Sequence, residues 1–536
     1  MRRAAPRRRR PGRAAPLLAG LATLLAGAAA DASPVFELLG DTAGTAGFSA
    51  RSSVAAADAS ATYFNPALLV WARPGVTFGT FVLREQIDIA LDARPAGADV
   101  PVGLRGGNHE GTYVEDGQIV VQPTIEPTSL PTAWLEDGCD TCQPPFAARP
   151  RGGDPRSRET ITYATIGWVT PIVNDRLMLG LHAVVPLGQF TAAHAYFVDE
   201  REQFFTNSLH PERYGDRLRA TSIAFGLAAP LGDHLSLGLS STIALRNDAR
   251  AATYVSDSDN QADTLQLSTD VEVSARATPH LGLVWRPTDR ISVAASAHAP
   301  QRFDIGTGFS AALPNGNEQL ASRSATHDYL PWLASLGGEV TLAGTAERSL
   351  SLSATATFAR WSTYVDRQSD RPQAGYEWSD TLSPTIGARA TLGDWRVFGD
   401  ATWEPTPVPA QTGRTNYVDN SRLGTVAGLE LATRVASVPV RIGLQLQVHG
   451  LVERHQTKRI PPENPIAWPG DDRYGEAYYP SLVVDEVPDD ATDGSSLRAE
   501  PLAGREGLQT NNPGFPGFGS SGLLAGGSFY VAIDQE

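Results

Sequence analysis

The chain has 536 residues, 19% of them charged, with 51 glycines, 39 prolines, two cysteines and a formal net charge of −15. An acidic balance argues against nucleic acid as a partner, because phosphate backbones demand basic faces. No apolar run of about 18 residues follows the N-terminal segment, which excludes helical membrane spans from the mature chain.

Residues 1–30 read as an export signal. Arg2, Arg3, Arg7 to Arg10 and Arg13 form a positive start, "AAPLLAGLATLLAGAAA" an apolar core too short to span, and small residues allow cleavage after Ala30 or Ala32. Residues 31–73 carry no usable alternation, yet Phe36, Leu38, Leu39, Phe48, Tyr63 and Phe64 make them too apolar for a free tail. Within "YFNPALL", Asn65 is a good helix cap, Pro66 suits the first helical position, and Ala67 to Trp71 supply one or two turns. Two placements stand: folded back as a plug inside a barrel, or packed on its periplasmic rim.

From residue 74 the signal is alternation of period two. In "LSLGLSSTIALR", Leu235, Leu237 and Leu239 share one face and Ser236, Gly238 and Ser240 the other; "LSLSATATF" and "VRIGLQLQVHG" repeat the pattern. Strands are expected near 74–92, 158–171, 177–190, 217–230, 235–253, 265–286, 291–308, 324–343, 350–364, 378–392, 395–408, 422–435, 440–457 and 521–533. These runs match the length needed to cross a bilayer at a tilt, and tight turns such as "VNDR", "LGDH" and "PTDR" alternate with long acidic loops. The expected fold is therefore all-β: a transmembrane antiparallel barrel of about 14 strands with an N-terminal plug containing short helices, since a barrel of this size leaves a lumen that side chains do not fill.

The longest connections lie near 93–157 and 458–520. Cys139 and Cys142, in "DGCDTCQPP", suggest a local disulfide pinning the first of them, with a metal or redox role as the other reading; two thiols alone do not complete a zinc site. In "VVPLGQF", Pro186 removes a ladder donor and Gly188 weakens packing on either side of Leu187, so strand pairing should fail locally, either as a gap in the wall or as a bulge near the rim.

Residues 31–73, centred on "AAADASATYFNPALL", resemble the N-terminal hatch of the outer-membrane long-chain fatty acid transporter family (FadL/TodX type, which includes aromatic-hydrocarbon channels). Asp58, Ser60, Phe64, Asn65, Pro66 and Ala67 match the family pattern, and "VVPLGQF", "AHAPQRFDI", "FARWSTY" and "WEPTPVPAQTG" echo it along the chain. The resemblance implies an N-terminal hatch at 31–73 and a barrel at 74–536 in the outer membrane of a Gram-negative bacterium. It implies a monomer in contact with lipid and lipopolysaccharide. It further implies passive transport of hydrophobic compounds such as long-chain fatty acids or aromatic hydrocarbons, with a lateral opening at Pro186, Leu187 and Gly188 and a hatch gated through Phe64 to Ala67.

No catalytic motif, metal site or cofactor fingerprint stands out. There is no Gly-x-Ser-x-Gly elbow and no His-Glu-x-x-His, and "GTGFSA" ends a strand with no helix after it. The acidic runs "DSDN" and "DEVPDDATDG" read as solvated loops, with calcium binding as the alternative. The competing function is a structural or adhesive outer-membrane barrel without transport.

Overall fold

The period-two runs form strands that pair with their neighbours all the way round. The computed structural model describes residues 35–91, 112–115, 118–121, 158–173, 176–187, 210–211, 213–219, 221–255, 265–312, 318–345, 347–365, 371–372, 377–412, 417–457 and 517–535. The barrel strands are β1 (Gly75–Leu91), β2 (Arg158–Pro171), β3 (Met178–Leu187), β4 (Ser222–Pro230), β5 (Leu235–Val255), β6 (Leu265–Thr288) and β7 (Ile291–His298). They continue as β8 (Leu333–Gly344), β9 (Arg348–Ala359), β10 (Thr381–Leu392), β11 (Trp395–Glu404), β12 (Arg422–Val435), β13 (Val438–Thr457) and β14 (Gly517–Asp534). Each is antiparallel to the next, and β14 closes on β1 from Gly75↔Asp534 to Leu91↔Phe518. This is a closed 14-stranded antiparallel barrel.

Its two faces are inverted relative to a soluble protein. Leu446 is 72% exposed on the outside, while the neighbouring Gln445 and Gln447 are each 1% exposed in the lumen. Leu350 and Leu352 face out and Ser351 and Ser353 are buried in the same way. Outward apolar and inward polar residues are what a bilayer selects. Exposed tryptophans cluster toward both ends of this belt: Trp168, Trp285 and Trp395 near the short turns, Trp332 and Trp403 near the long loops.

Some strand bounds differ from the sequence expectation, and proline accounts for two of the differences. The run expected at 291–308 breaks at Ala299-Pro300, and the run at 324–343 breaks at Pro331-Trp332. Proline lacks the N–H that a ladder needs. Beyond the breaks, Gln301–Ala312 and Glu318–Leu330 form a separate hairpin whose first strand pairs in parallel with the outer half of β5, from Gly306↔Asp248 to Ala312↔Tyr254. Residues 217–219, expected in a strand, belong instead to a 3₁₀ turn, Gly215–Arg219.

Candidate functional site

Residues 35–73 fill the lumen, and their local sequence explains how. Helix α1 (Val35–Leu39) buries Val35, Phe36, Leu38 and Leu39 and ends at Gly40, whose φ of +65° is the left-handed conformation glycine accepts without strain. Asp41 then holds the next turn: its Oδ1 accepts from Ala43 N–H at 3.0 Å and its Oδ2 from Ala46 N–H at 3.1 Å. Helix α2 (Ala61–Phe64) follows Ser60, whose N–H and hydroxyl both donate to Asp58 Oδ1, at 2.8 and 2.6 Å.

Asn65 has extended backbone angles, as a residue before proline prefers, and caps the 3₁₀ turn Pro66–Val70. Its Oδ1 accepts from Ala67 N–H at 3.3 Å, and its Nδ2 donates to the Arg51 carbonyl at 3.0 Å. The turn is 3₁₀ where the sequence suggested a general helix start, and α1 and α2 add to it the short helices expected in the plug. Phe64, Asn65, Pro66 and Ala67 are all buried.

Polar groups of the wall hold this segment. Arg389 pairs with Asp400 at 2.9 Å and donates from Nε to the Thr45 carbonyl at 3.0 Å, while Ser49 N–H donates to Asp400 Oδ2 at 3.1 Å. Glu339 accepts from Ser53 Oγ at 2.5 Å and from Ala55 N–H at 3.0 Å. Gln445 donates to the Asp41 carbonyl at 2.9 Å and Ser236 to the Ala67 carbonyl at 3.0 Å.

The wall is also shaped for close approach. A Cβ at Gly238 would collide with the Pro66 carbonyl carbon, and one at Gly282 would collide with Asn65 Oδ1. Gly180 and Gly226, paired across β3 and β4, leave room in the same way for Thr62. The four glycines stand at inward positions of four successive strands as Leu-Gly-Leu or Phe-Gly-Leu. That repeat is visible in the sequence, but one glycine per strand is indistinguishable there from ordinary dilution of a polar face.

Asn65 to Ala67 therefore sit against β5 and β6. Strand β3 meets the plug on the turn side of Pro186, where Phe36 stacks on His182 with ring centroids 5.1 Å apart. Pro186 is buried and paired with Tyr163 of β2, and Leu187 is 55% exposed. On its other side, β3 pairs with β4 only from Met178↔Ala228 to Val184↔Ser222. Gly188, Cys139 and Cys142 lie outside the described residues, as do residues 1–34.

Between the plug and the long-loop end lies a cavity of about 90 Å³. Leu38, Phe48 and Phe64 of the plug form its floor, and Leu330, Leu333 and Trp361 part of its wall. Beside it, Tyr329, Trp361, Tyr364, Trp378 and Tyr417 pack into an aromatic cluster in which Tyr364 and Trp378 stack at 3.6 Å with planes 5° apart. Arg51, Arg213, Arg422, Glu37 and Glu404 also reach the cavity. Among the described residues no group of His, Cys, Asp and Glu is arranged to hold a metal.

These features define a membrane-spanning barrel with an internal plug and a small chamber above it. No protein-family model matches the chain, and no curated protein does. Among solved structures it is similar to a FadL homologue of Pseudomonas aeruginosa, at 15% identity and a TM-score of 0.46, covering 89% of this chain and 94% of that one. It is also similar to the toluene transporter TodX of P. putida, at 10% identity and a TM-score of 0.42 over 94% of this chain and 99% of that one. The Ralstonia pickettii toluene transporter TbuX overlaps at 12% identity and a TM-score of 0.40 over 93% and 98%. The fold stands on the strand ladder itself.

Proposed function

We propose that this chain belongs to the FadL/TodX type and carries hydrophobic compounds passively across the outer membrane, with residues 31–73 as the hatch and 74–536 as the barrel. The observation that carries the reading is the chamber: a cavity reached by Phe48, Phe64, Tyr329 and Trp361 inside a barrel whose lumen is plugged below it by Val35 to Arg73. A water-filled porin has no use for such a plug. A compound entering from the loop end would rest in the chamber and leave sideways at the kink of β3, a reading supported by the end of the β3–β4 ladder at Val184, two residues before Pro186 and Leu187. Sideways exit keeps an apolar solute out of water, which is worth about 0.8 kcal/mol per CH₂.

The test is uptake by cells that lack the protein and are complemented with wild type, a chain without residues 35–67, or Pro186→Val. Loss of uptake of toluene or a long-chain fatty acid in the null strain, and a several-fold reduction with Pro186→Val, support the reading. Normal uptake in the null strain returns the protein to the adhesive or structural class. Unchanged bilayer conductance in the deletion rules out the hatch role.

A further inference from the structure

The charges around the chamber are already spent on one another. Arg51 donates to Glu37 and lies 3.3 Å from His298 Nε2. Arg213 reaches Glu404 at 3.2 Å and Asp419 at 3.1 Å, and its guanidinium stands 5.2 Å from the Trp361 ring centre. Arg422 also pairs with Glu404. Three guanidinium groups thus face three carboxylates, all buried or nearly so. An anionic ligand would have to displace a buried carboxylate or add an unpaired charge beside Glu404, and either change is costly in a desolvated site.

Two features nevertheless ask for hydrogen bonds. Arg422 lines the chamber, and its buried Nε has no partner among the described residues. The lining also carries a bank of hydroxyls, Thr355, Thr357, Thr381, Ser383, Thr385 and Thr402, where a purely hydrocarbon site would have leucine or valine. Thr355 pairs with Ser52, Thr357 with Ser335 and Thr385 with Thr402, which leaves Thr381 and Ser383 without a side-chain hydrogen bond among the described residues. Buried polar groups left unmatched by a ligand penalise the ligand that cannot match them.

We infer that the chamber selects a neutral, oxygen-bearing hydrophobic compound, such as a phenol or an alcohol, over both its carboxylate counterpart and the plain hydrocarbon. This rests on the transport reading above and deepens it. The apolar body lies on Leu330, Leu333 and Trp361, and the oxygen exchanges hydrogen bonds with the hydroxyls of Thr381 and Ser383. The small volume fits one ring or a short chain segment at a time.

Calorimetric titration of the full chain in non-ionic detergent at neutral pH tests it with three compounds of one shape: 4-methylphenol, 4-methylbenzoate and para-xylene. Binding of 4-methylphenol about tenfold tighter than 4-methylbenzoate, and at least as tight as para-xylene, is the expected result. Glu404→Gln, which frees Arg213 and Arg422 of their shared partner, should raise the 4-methylbenzoate affinity about tenfold, and Glu404→Asp should restore the original order. Equal or tighter binding of 4-methylbenzoate by the wild type, or para-xylene ahead of 4-methylphenol, overturns the inference and leaves the transport reading intact. Failure of all three compounds to bind overturns both.

Discussion

Asn65 shows why one residue type occupies one position. It accepts a hydrogen bond as a cap and donates another to the Arg51 carbonyl, a combination that an ionised aspartate cannot offer. That role was legible in "NPA"; its donor half was not, because Arg51 is brought to it only by the fold of the hatch. The same holds for Gly238, whose missing side chain is occupied by Pro66 and Ala67. Gly238→Val should weaken docking of the hatch by about 1–3 kcal/mol, the usual cost of overpacking. The readout is planar-bilayer conductance, which should rise above wild type; an unchanged closed level would mean the contact does not hold the hatch. Asp41 and Asp58 add a pH dependence. A Cβ at Gly44 would lie 2.5 Å from Asp41 Oδ2 and closer still to Asp58 Oδ2, so both carboxyl groups crowd one α-carbon. Burial, and for Asp41 also the charge of Asp58, hold both groups above the usual carboxylate range. The docked hatch then binds more protons than the released one. Docking is tightest in acid and weakens as pH rises from the ordinary carboxylate range toward the raised values. Hydrogen exchange at the Ala43 and Ala46 amides, corrected for intrinsic rates, should show protection falling with pH in wild type and a flatter profile in Asp58→Asn.

At the scale of elements, strand identity follows from period two, because a barrel wall has lipid on one side and a polar lumen on the other. All fourteen strands were readable on that basis. Their ends were less so. Pro300 and Pro331 interrupt β7 and β8 from their loop-side hairpin, a break that alternation alone passes over because side-chain phase says nothing about a missing N–H. Short helices in the hatch were expected, but the positions of two were not legible: Val35–Leu39 and Ala61–Phe64 are five and four residues long, too short to display a helical period, and they are helical because the lumen packs them. Turns carry their own chemistry. The β12–β13 hairpin turns through Ala436 and Ser437 with φ of 50° and 72°, both left-handed and neither residue glycine. The double substitution Ala436→Asn with Ser437→Gly, which supplies the residue types this turn prefers, should stabilise the barrel by about 1–2 kcal/mol. The gain would be read as a higher midpoint in urea unfolding from lipid vesicles. An unchanged midpoint would show that the turn bears no such strain.

For the molecule as a whole, closure joins parts that are far apart in the chain. Gly75 meets Asp534, Ser49 meets Asp400, and Thr42 lies 2.9 Å from Thr165. Closure removes the sheet edges and leaves every inward residue facing a common lumen, so a segment placed there is held from all sides. The sequence by itself determined the strands, their inverted faces, the side on which the short turns lie and the presence of an apolar N-terminal segment. Those properties are local: each is set by alternation, by proline and glycine, or by composition over ten or twenty residues. Only the tertiary structure decided which wall residues grip the plug, that four inward glycines make room for it, and that the chamber's arginines are matched by Glu37, Glu404 and Asp419. Such pairings depend on barrel register and closure, and residues hundreds of positions apart carry no local mark of the partner they will meet.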